Sequence, residues 1–126
     1  MILGIGVDTI EIERFAVWHT YSSKKLQRIF SLEEIEYCRA QPNKSAERFA
    51  ARFAAREALY KALSYAYPDI TLPFLTLCAH TAIKKIGQRP YIVLSNVAGI
   101  DVDLLRIHLS WSHSRTHATA FVVLVR

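Results

Sequence analysis

The sequence predicts a single α+β domain in which an antiparallel sheet packs on one long central helix. Three observations support this prediction: a glycine-alternating apolar segment opens the chain, an alanine-rich segment occupies its middle, and alternating apolar segments close it. The order strand, helices and then several strands is typical of α+β domains. The 126 residues suit one domain over positions 1–126, and the 52% hydrophobic content can supply one sizeable core.

The central helix is predicted across residues 46–64, where neither glycine nor proline occurs. Alanines gather on one side of this segment and phenylalanine, tyrosine and leucine on another, so the helix is expected to be buried over most of its circumference. Such a helix has few places for charge. Glu57 and Lys61 nevertheless lie four residues apart within it, and the simplest interpretation is an i,i+4 ion pair at a helix edge.

The opening segment, residues 1–8, predicts a buried strand that another backbone approaches closely and that ends at Asp8. Asp8 could therefore cap a turn or helix. Asp8 and Glu57 are also two carboxylates in apolar surroundings, where an uncompensated charge is unfavourable by several kcal/mol. A shared Mg²⁺ would satisfy both, because this ion binds one or two carboxylates together with water and phosphate oxygens.

The remaining elements follow from turn and capping signals. A capping box, Ser31 with Glu34 three residues later, begins a short helix that ends by Pro42. Residues 9–21 are predicted to form a loop or short strand turning into a helix, and residues 64–74 a loop. Two strands are predicted within 75–95, joined through "GQRP" with Gly87 and Pro90 at the connection. An alternating strand at 105–112 and a core strand at 117–126 complete the prediction.

Composition narrows the possible partners and location. Sixteen basic and eleven acidic residues give a net charge of +5, which favours an anionic partner. The cations do not form a stripe interleaved with aromatic residues, so we expect no nucleic acid. The apolar runs are too short to span a membrane and no basic leader precedes them, so a cytoplasmic protein is expected. Cys38 and Cys78 lack metal-site spacing and are interpreted as reduced thiols.

Ser112 and His113 raise the alternative of a hydrolase. A serine beside a histidine at a strand end suggests nucleophilic catalysis, but the chain has no GxSxG elbow that would orient a nucleophile. A histidine in this position can also be purely structural. A second alternative is a basic binding module that recognises an acidic protein without chemistry, with Glu57 and Lys61 as a structural pair.

Three segments considered together give a more specific indication. "GIGVDTIEIERF", "ARFAAREALYKAL" and "LSWSHSRTHATAFVV" resemble, in this order, the three motifs of the holo-acyl-carrier-protein synthases, a family of small 4'-phosphopantetheinyl transferases. The resemblance covers almost the whole chain and implies the fold of these transferases. It also implies transfer of 4'-phosphopantetheine from coenzyme A to a serine of apo acyl carrier protein in fatty acid biosynthesis, with release of adenosine 3',5'-bisphosphate.

The resemblance assigns roles to the charged residues of the helix. Asp8 and Glu57 would hold Mg²⁺ against the pyrophosphate, and Lys61 would neutralise or protonate the departing phosphate. Glu57, directly or through water, is the preferred base for the carrier serine, and His113 is the rival because an imidazole titrates near neutral pH. The sequence does not choose between them.

The resemblance also implies contacts with both substrates. Residues expected at coenzyme A are Arg52, Ser112, His113 and Pro90, together with Arg56 as a phosphate or carboxylate contact. Arg14, Lys24, Lys25 and Arg28 are expected to meet the acidic carrier protein. The family forms homotrimers in which the SxSH strand completes a neighbour's site, so a homotrimer is expected here.

The sequence departs from the family pattern at three places. Arg56 replaces a lysine, Ser64 and Tyr65 replace a glycine-rich turn, and Ser114 replaces a frequent acidic residue.

Overall fold

The computed structural model describes all residues from Met1 to Arg126. A three-stranded antiparallel sheet packs on one long helix, and a separate two-stranded hairpin lies beside them. The strands are β1 (Ile2–Glu11), β2 (Thr81–Ile86), β3 (Arg89–Leu94), β4 (Arg106–His113) and β5 (His117–Val125). The helices are α1 (Ser23–Leu26), α2 (Leu32–Arg39), α3 (Ser45–Ala66) and α4 (Phe74–Ala79), with short 3-10 turns at Ile12–Phe15, Trp18–Thr20, Pro42–Lys44 and Val102–Leu104. The predicted α+β architecture is confirmed.

The sheet has the order β1-β5-β4, and both pairings are antiparallel. Its inner face packs on α3, where alternate residues of β5 are fully buried: Ala118, Ala120, Val122 and Leu124. Its outer face is exposed and partly apolar, with Ile5, Val7 and Phe121 each 43 to 50% accessible. This outer face is a surface that the chain does not cover by itself.

Close packing of β1 on α3 depends on the opening glycines. A Cβ placed at Gly6 would lie 1.9 Å from the carbonyl oxygen of Ala58, and one at Gly4 would lie 2.2 Å from that of Ala62. Both distances are far inside van der Waals contact. The prediction of a strand closely approached by another backbone is confirmed, and the alanines of α3 supply the other half of the contact.

Several predicted boundaries were wrong. Strand β1 does not end at Asp8 but continues to Glu11, because β5 offers hydrogen-bonding partners along this whole length; Asp8 lies opposite Ala120 and caps neither a turn nor a helix. Helix α3 continues past residue 64 to Ala66, since serine and tyrosine permit another turn where glycines would end it.

Two further corrections concern the region before and within the hairpin. Residues 74–79 form helix α4 rather than the start of a strand, because a helical turn buries the neighbouring Leu77 and Cys78 together in the core. The hairpin turns at residues 87–88, with Gly87 at φ +61°, and Pro90 is already within β3 opposite Lys85. The capping box at Ser31 and Glu34 is confirmed.

Candidate active site

Two carboxylates and a lysine meet where β1 crosses α3. Lys61 extends from the helix and donates hydrogen bonds to Oδ1 of Asp8 at 3.2 Å and to the carbonyl oxygen of Val7 at 2.9 Å. Its ion pair is therefore with Asp8 and not with Glu57, so the i,i+4 pair expected within the helix is not the contact that forms. About half of the Lys61 side chain stays accessible, which leaves the ammonium available to a ligand.

The environment of Glu57 disfavours its negative charge. Burial raises the pKa of Glu57 above its ordinary value, and the neighbouring charge of Asp8 raises it further, against the opposing effects of Lys61 and Arg14. Two carboxylates that repel one another at a half-buried position form an environment in which a cation is favoured. Asp8 is thus close enough to Glu57 to affect its charge, as two ligands of one predicted Mg²⁺ ion would have to be.

The donor set suits a hard divalent cation. The structure brings together no group of three or more histidine, cysteine, aspartate or glutamate side chains that could hold a metal, so a site made entirely of protein ligands is absent. Mg²⁺ usually takes one or two carboxylates and completes its shell with water and substrate phosphate oxygens. Asp8 and Glu57 match this requirement, and a bound cation would relieve the unfavourable charge of Glu57.

Arg14 lies at the same end of the site. It follows β1 in the 3-10 turn Ile12–Phe15, is exposed, and its guanidinium carbon lies 5.7 Å from the centre of the Phe53 ring. Its positive charge lowers the pKa of Glu57, although burial outweighs that effect. The predicted carrier-protein residue is thus exposed and close enough to the carboxylates for their charges to interact.

A second feature is an open cleft of about 240 Å³ near the beginning of α3. We use "the cleft" for the space lined by Tyr37, Lys44, Glu47, Arg48, Ala51, Arg52, Lys85, Gln88, Trp111, Ser112 and His113. Four of these residues are cationic, so the cleft is suited to an anionic ligand. Three predicted coenzyme A residues, Arg52, Ser112 and His113, come together in its wall.

Arg52 is the most buried cation of the cleft, at 4% accessible. Its guanidinium carbon lies 4.8 Å from the ring centre of Tyr37 and 5.1 Å from that of Trp111, so the two aromatic rings hold the group by cation–π contacts. Its Nε has no hydrogen-bond partner. A guanidinium held in place in the cleft wall is well oriented to bind phosphate through its remaining donors.

His113 is half exposed at the end of β4, and its Nδ1 lies 3.3 Å from Oε2 of Glu47. Glu47 therefore supplies a carboxylate neighbour that the sequence lacks at Ser114. Glu47 and Glu57 are ten residues apart on α3, roughly 15 Å along the helix axis. Within one chain, His113 is accordingly distant from the carboxylates.

Arg56 does not belong to either feature, and its assignment to the substrate needs correction. The side chain is fully buried, and its two terminal nitrogens donate to the two carboxylate oxygens of Glu34 at 2.8 and 2.7 Å. A guanidinium enclosed in this way has no face free for a coenzyme A phosphate. Of the two contacts considered for Arg56, the structure shows a carboxylate.

Pro90 also lies outside the cleft wall. It pairs with Lys85 across the hairpin, and Lys85 and Gln88 are the hairpin residues that line the cleft. The departure at Ser64 and Tyr65 adds a helical turn with both side chains exposed, rather than a loop.

Sequence reasoning missed several cleft residues. Tyr37 and Arg48 lie outside the three motifs, and Trp111 occupies a motif position to which no role was assigned, since single aromatic and basic residues on helices and strands have many structural uses. Glu34 was recognised only as half of a capping box. The available signal for its second role was the position of Arg56 in a helix expected to be buried, because a buried charge needs an opposite partner.

Comparison with known proteins decides the family. The model of the 4'-phosphopantetheinyl transferase superfamily matches residues 4–122. The chain belongs to this superfamily. A member from Treponema denticola, named holo-[acyl-carrier-protein] synthase, is 36% identical over 98% of this chain and 98% of its own length.

Solved transferase structures share the fold. A holo-(acyl-carrier-protein) synthase from Bacillus anthracis, determined in complex with CoA (3',5'-ADP), has a TM-score of 0.76 and 28% identity, covering 98% of this chain and 96% of that one. The Helicobacter pylori holo-[acyl-carrier-protein] synthase in complex with coenzyme A has a TM-score of 0.71 and 30% identity, covering 96% and 99%. The fold predicted from the motifs is therefore confirmed. No helix combines the length and apolar character needed to cross a membrane.

Proposed function

We propose that this protein is a holo-acyl-carrier-protein synthase, which transfers 4'-phosphopantetheine from coenzyme A to a serine of apo acyl carrier protein for fatty acid biosynthesis. The observation that carries the proposal is the meeting of Asp8, Glu57 and Lys61 in a chain whose synthase relatives match it along its whole length. The serine oxygen forms a bond to the pantetheine-bearing phosphorus of coenzyme A. The bond from that phosphorus to the bridging oxygen breaks, and adenosine 3',5'-bisphosphate leaves.

Asp8 and Glu57 would hold Mg²⁺ in this enzyme. When bound, the ion neutralises charge on the pyrophosphate oxygens, which is the main requirement of phosphoryl transfer. Support for this assignment comes from the raised pKa of Glu57, caused by burial and by the charge of Asp8. The two side chains come from different elements, β1 and α3, which the close glycine packing holds together.

Lys61 would stabilise the departing phosphate. Its ammonium is held at one side by Oδ1 of Asp8 and the carbonyl oxygen of Val7, while about half of the side chain stays accessible. A cation fixed in position before the reaction stabilises charge that develops on the leaving oxygen without a cost of reorganisation. The same ammonium can donate the proton that the leaving group requires.

The carrier serine must lose a proton, and Glu57 or His113 would accept it. Glu57 is favoured by its location beside Asp8 and Lys61. His113 pairs with Glu47, which precedes Glu57 by ten residues on α3. It would therefore act as the base only if a second chain brought it close to the carboxylates. The assignment of the base stays a prediction.

The cleft would bind the nucleotide of coenzyme A. Arg52, held between Tyr37 and Trp111, would contact a phosphate, and Ser112 and His113 would line the nucleotide on the β4 side. Pro90 follows the hairpin turn next to the cleft and stays a predicted adenine contact.

A homotrimer would join the two features into one site. The carboxylates and the cleft lie apart on one chain, whereas a second copy could bring its cleft to the carboxylates of the first. The exposed apolar outer face of the sheet, with Ile5, Val7 and Phe121, offers the surface for this contact. A single chain is then expected to be inactive.

The acidic carrier protein would approach beside Arg14. Lys24, Lys25 and Arg28 are exposed on and just after α1, and they would supply further positive charge for this contact. Charge complementarity of this kind accelerates association more than it strengthens affinity. Cys38 and Cys78 are free and buried, which agrees with reduced thiols in the cytoplasm, where we propose the enzyme acts.

One experiment tests the function. The protein is incubated with apo acyl carrier protein, coenzyme A and Mg²⁺, and the molecular mass of the carrier protein is measured by mass spectrometry. We expect the phosphopantetheine mass increment with the wild type and none with Glu57→Ala. If wild-type protein adds no mass but binds the carrier protein as well as the variant does, the chain is a binding module instead.

A further inference from the structure

The most thoroughly buried charges of the protein lie outside the carboxylate pair and the cleft. Glu34 on α2 is 3% accessible and Arg56 on α3 is fully buried. Arg56 Nη1 donates to Oε2 of Glu34 at 2.8 Å and Nη2 donates to Oε1 at 2.7 Å, a bidentate arrangement. Such a pair fixes orientation as well as distance, since two parallel hydrogen bonds constrain both planes.

The same two side chains attach the hairpin to the helices. Oε1 of Glu34 accepts the backbone N–H of Ile83 at 3.1 Å, and Nη2 of Arg56 donates to the carbonyl oxygen of Thr81 at 3.1 Å. Both backbone groups belong to β2, the strand that carries Lys85 into the cleft wall. The position of this wall therefore depends on the Glu34–Arg56 pair.

Glu34 also influences Arg52 directly. Its Oε2 lies 3.9 Å from Nε of Arg52, and the two side chains are 2 and 5% accessible. Among the ion pairs of the structure, Glu34 is the only acidic partner of Arg52. Its charge opposes rotation of the guanidinium away from the cleft. Helix α2, helix α3 and the hairpin, which all contribute to the cleft, thus meet at one carboxylate.

We propose that Glu34 is a positioning residue for coenzyme A, which it does not touch: with Arg56 it holds Arg52 and the hairpin in the geometry that binds the nucleotide. This inference rests on the proposed function of the cleft. It also explains the departure at residue 56. A lysine there could donate to one oxygen at a time, whereas arginine holds both carboxylate oxygens and Thr81 together.

The test compares steady-state kinetics of the wild type, Glu34→Gln and Arg56→Lys, with coenzyme A and apo carrier protein varied separately. Glu34→Gln is expected to raise the KM for coenzyme A about tenfold, because an amide replaces a charged acceptor, while kcat and the KM for carrier protein stay within about twofold. Arg56→Lys keeps the charge but loses the bidentate geometry, and an intermediate rise of about threefold is expected. Glu33→Gln, an exposed neighbour on α2, is the matched control.

The outcomes separate positioning from a role in folding alone. Circular dichroism and thermal unfolding establish that each variant is folded. Folded variants with an unchanged KM for coenzyme A overturn the proposal. A fall in kcat accompanied by similar rises in both KM values also overturns it. If neither variant folds, the pair serves only the fold and the proposal is again overturned. Failure of the proposed function is distinct, because the wild type itself would then be inactive.

Discussion

Lys61 on α3 bonds to Asp8 on β1, with Nζ 3.2 Å from Oδ1, and the same nitrogen binds the carbonyl oxygen of Val7 at 2.9 Å. One cation therefore connects the long helix to the strand at the candidate active site. The contact is possible because Gly6, next to Val7, lets the strand lie against the helix backbone. Catalytic geometry and core packing thus depend on the same crossing of β1 and α3.

Replacing Lys61 with methionine is expected to reduce kcat by about a hundredfold or more, the usual loss when a preorganised donor to a developing anion is removed. Stability should change by less than about 1 kcal/mol, because the lysine side chain is half exposed. Rates of carrier-protein modification measure the first effect and urea unfolding the second. Lys84→Met, an exposed lysine on β2, serves as control. An unchanged kcat in Lys61→Met would remove Lys61 from the mechanism.

Removal of divalent cations with EDTA is expected to abolish wild-type activity, and added Mg²⁺ should restore it. Asp8→Asn should require a Mg²⁺ concentration at least about tenfold higher for half-maximal rate, since weakening even indirect metal contacts has effects of this size. A titration of rate against Mg²⁺ gives both values. Asp69→Asn, an exposed carboxylate in the loop after α3, should titrate like the wild type. Full activity in EDTA would contradict the metal assignment.

Gly6→Ala is expected to destabilise the fold by about 3 kcal/mol or more, at or beyond the upper end of overpacking effects, because the new Cβ would lie 1.9 Å from a backbone oxygen. Gly87→Ala is the matched comparison: its site is open but has φ +61°, so only about 1 kcal/mol of backbone strain is expected. Urea unfolding of both variants separates steric contact from backbone preference. Equal losses would show that the contact with Ala58 is not decisive.

Phe121→Glu is expected to dissociate the proposed trimer and reduce activity, because it places a charge in the apolar outer face of the sheet. Leu104→Glu alters an apolar residue that is 57% accessible elsewhere and should leave assembly and activity intact. Analytical ultracentrifugation measures the assembly. A wild-type dilution series gives a second test, since specific activity that stays constant while the trimer dissociates would exclude a shared site.

Glu34 predicts a specific dependence of stability on pH. Burial by itself raises the pKa of Glu34, but hydrogen bonds and charge from Arg56, with further hydrogen bonds from Ile83 and Ser31, bring it below the ordinary value. A pKa lower in the folded state means that the stabilisation is present above the unfolded pKa, about 4.3, and is lost as the pH falls through the folded value.

The free energy of unfolding should therefore decrease less steeply below about pH 4.3 in Glu34→Gln than in the wild type. Urea unfolding between neutral and acidic pH measures the slopes. Glu36→Gln, exposed on the same helix, should retain the wild-type slope. A wild-type slope in Glu34→Gln would show that the pair with Arg56 does not persist in solution.

Local sequence signals predicted much of the fold. The absence of glycine and proline identified α3, apolar alternation identified β4, and the spacing of Ser31 and Glu34 identified the start of α2. These features depend on neighbours within a few residues of one another, which a sequence displays directly. Helix α4 was missed because its six residues form a short, nearly continuous apolar run that also suits a buried strand, and only packing of Leu77 and Cys78 against the core decides between the two.

The sequence by itself determined the family and the α+β class, because motif order and residue type carry this information without coordinates. Only the tertiary structure decided the partners of the charged groups: Lys61 bonds Asp8 rather than Glu57, and Arg56 faces Glu34 rather than a substrate. The physical reason is that an ion pair needs proximity in space. Residues 53 and 22 positions apart become neighbours only when β1 and α2 have packed on α3.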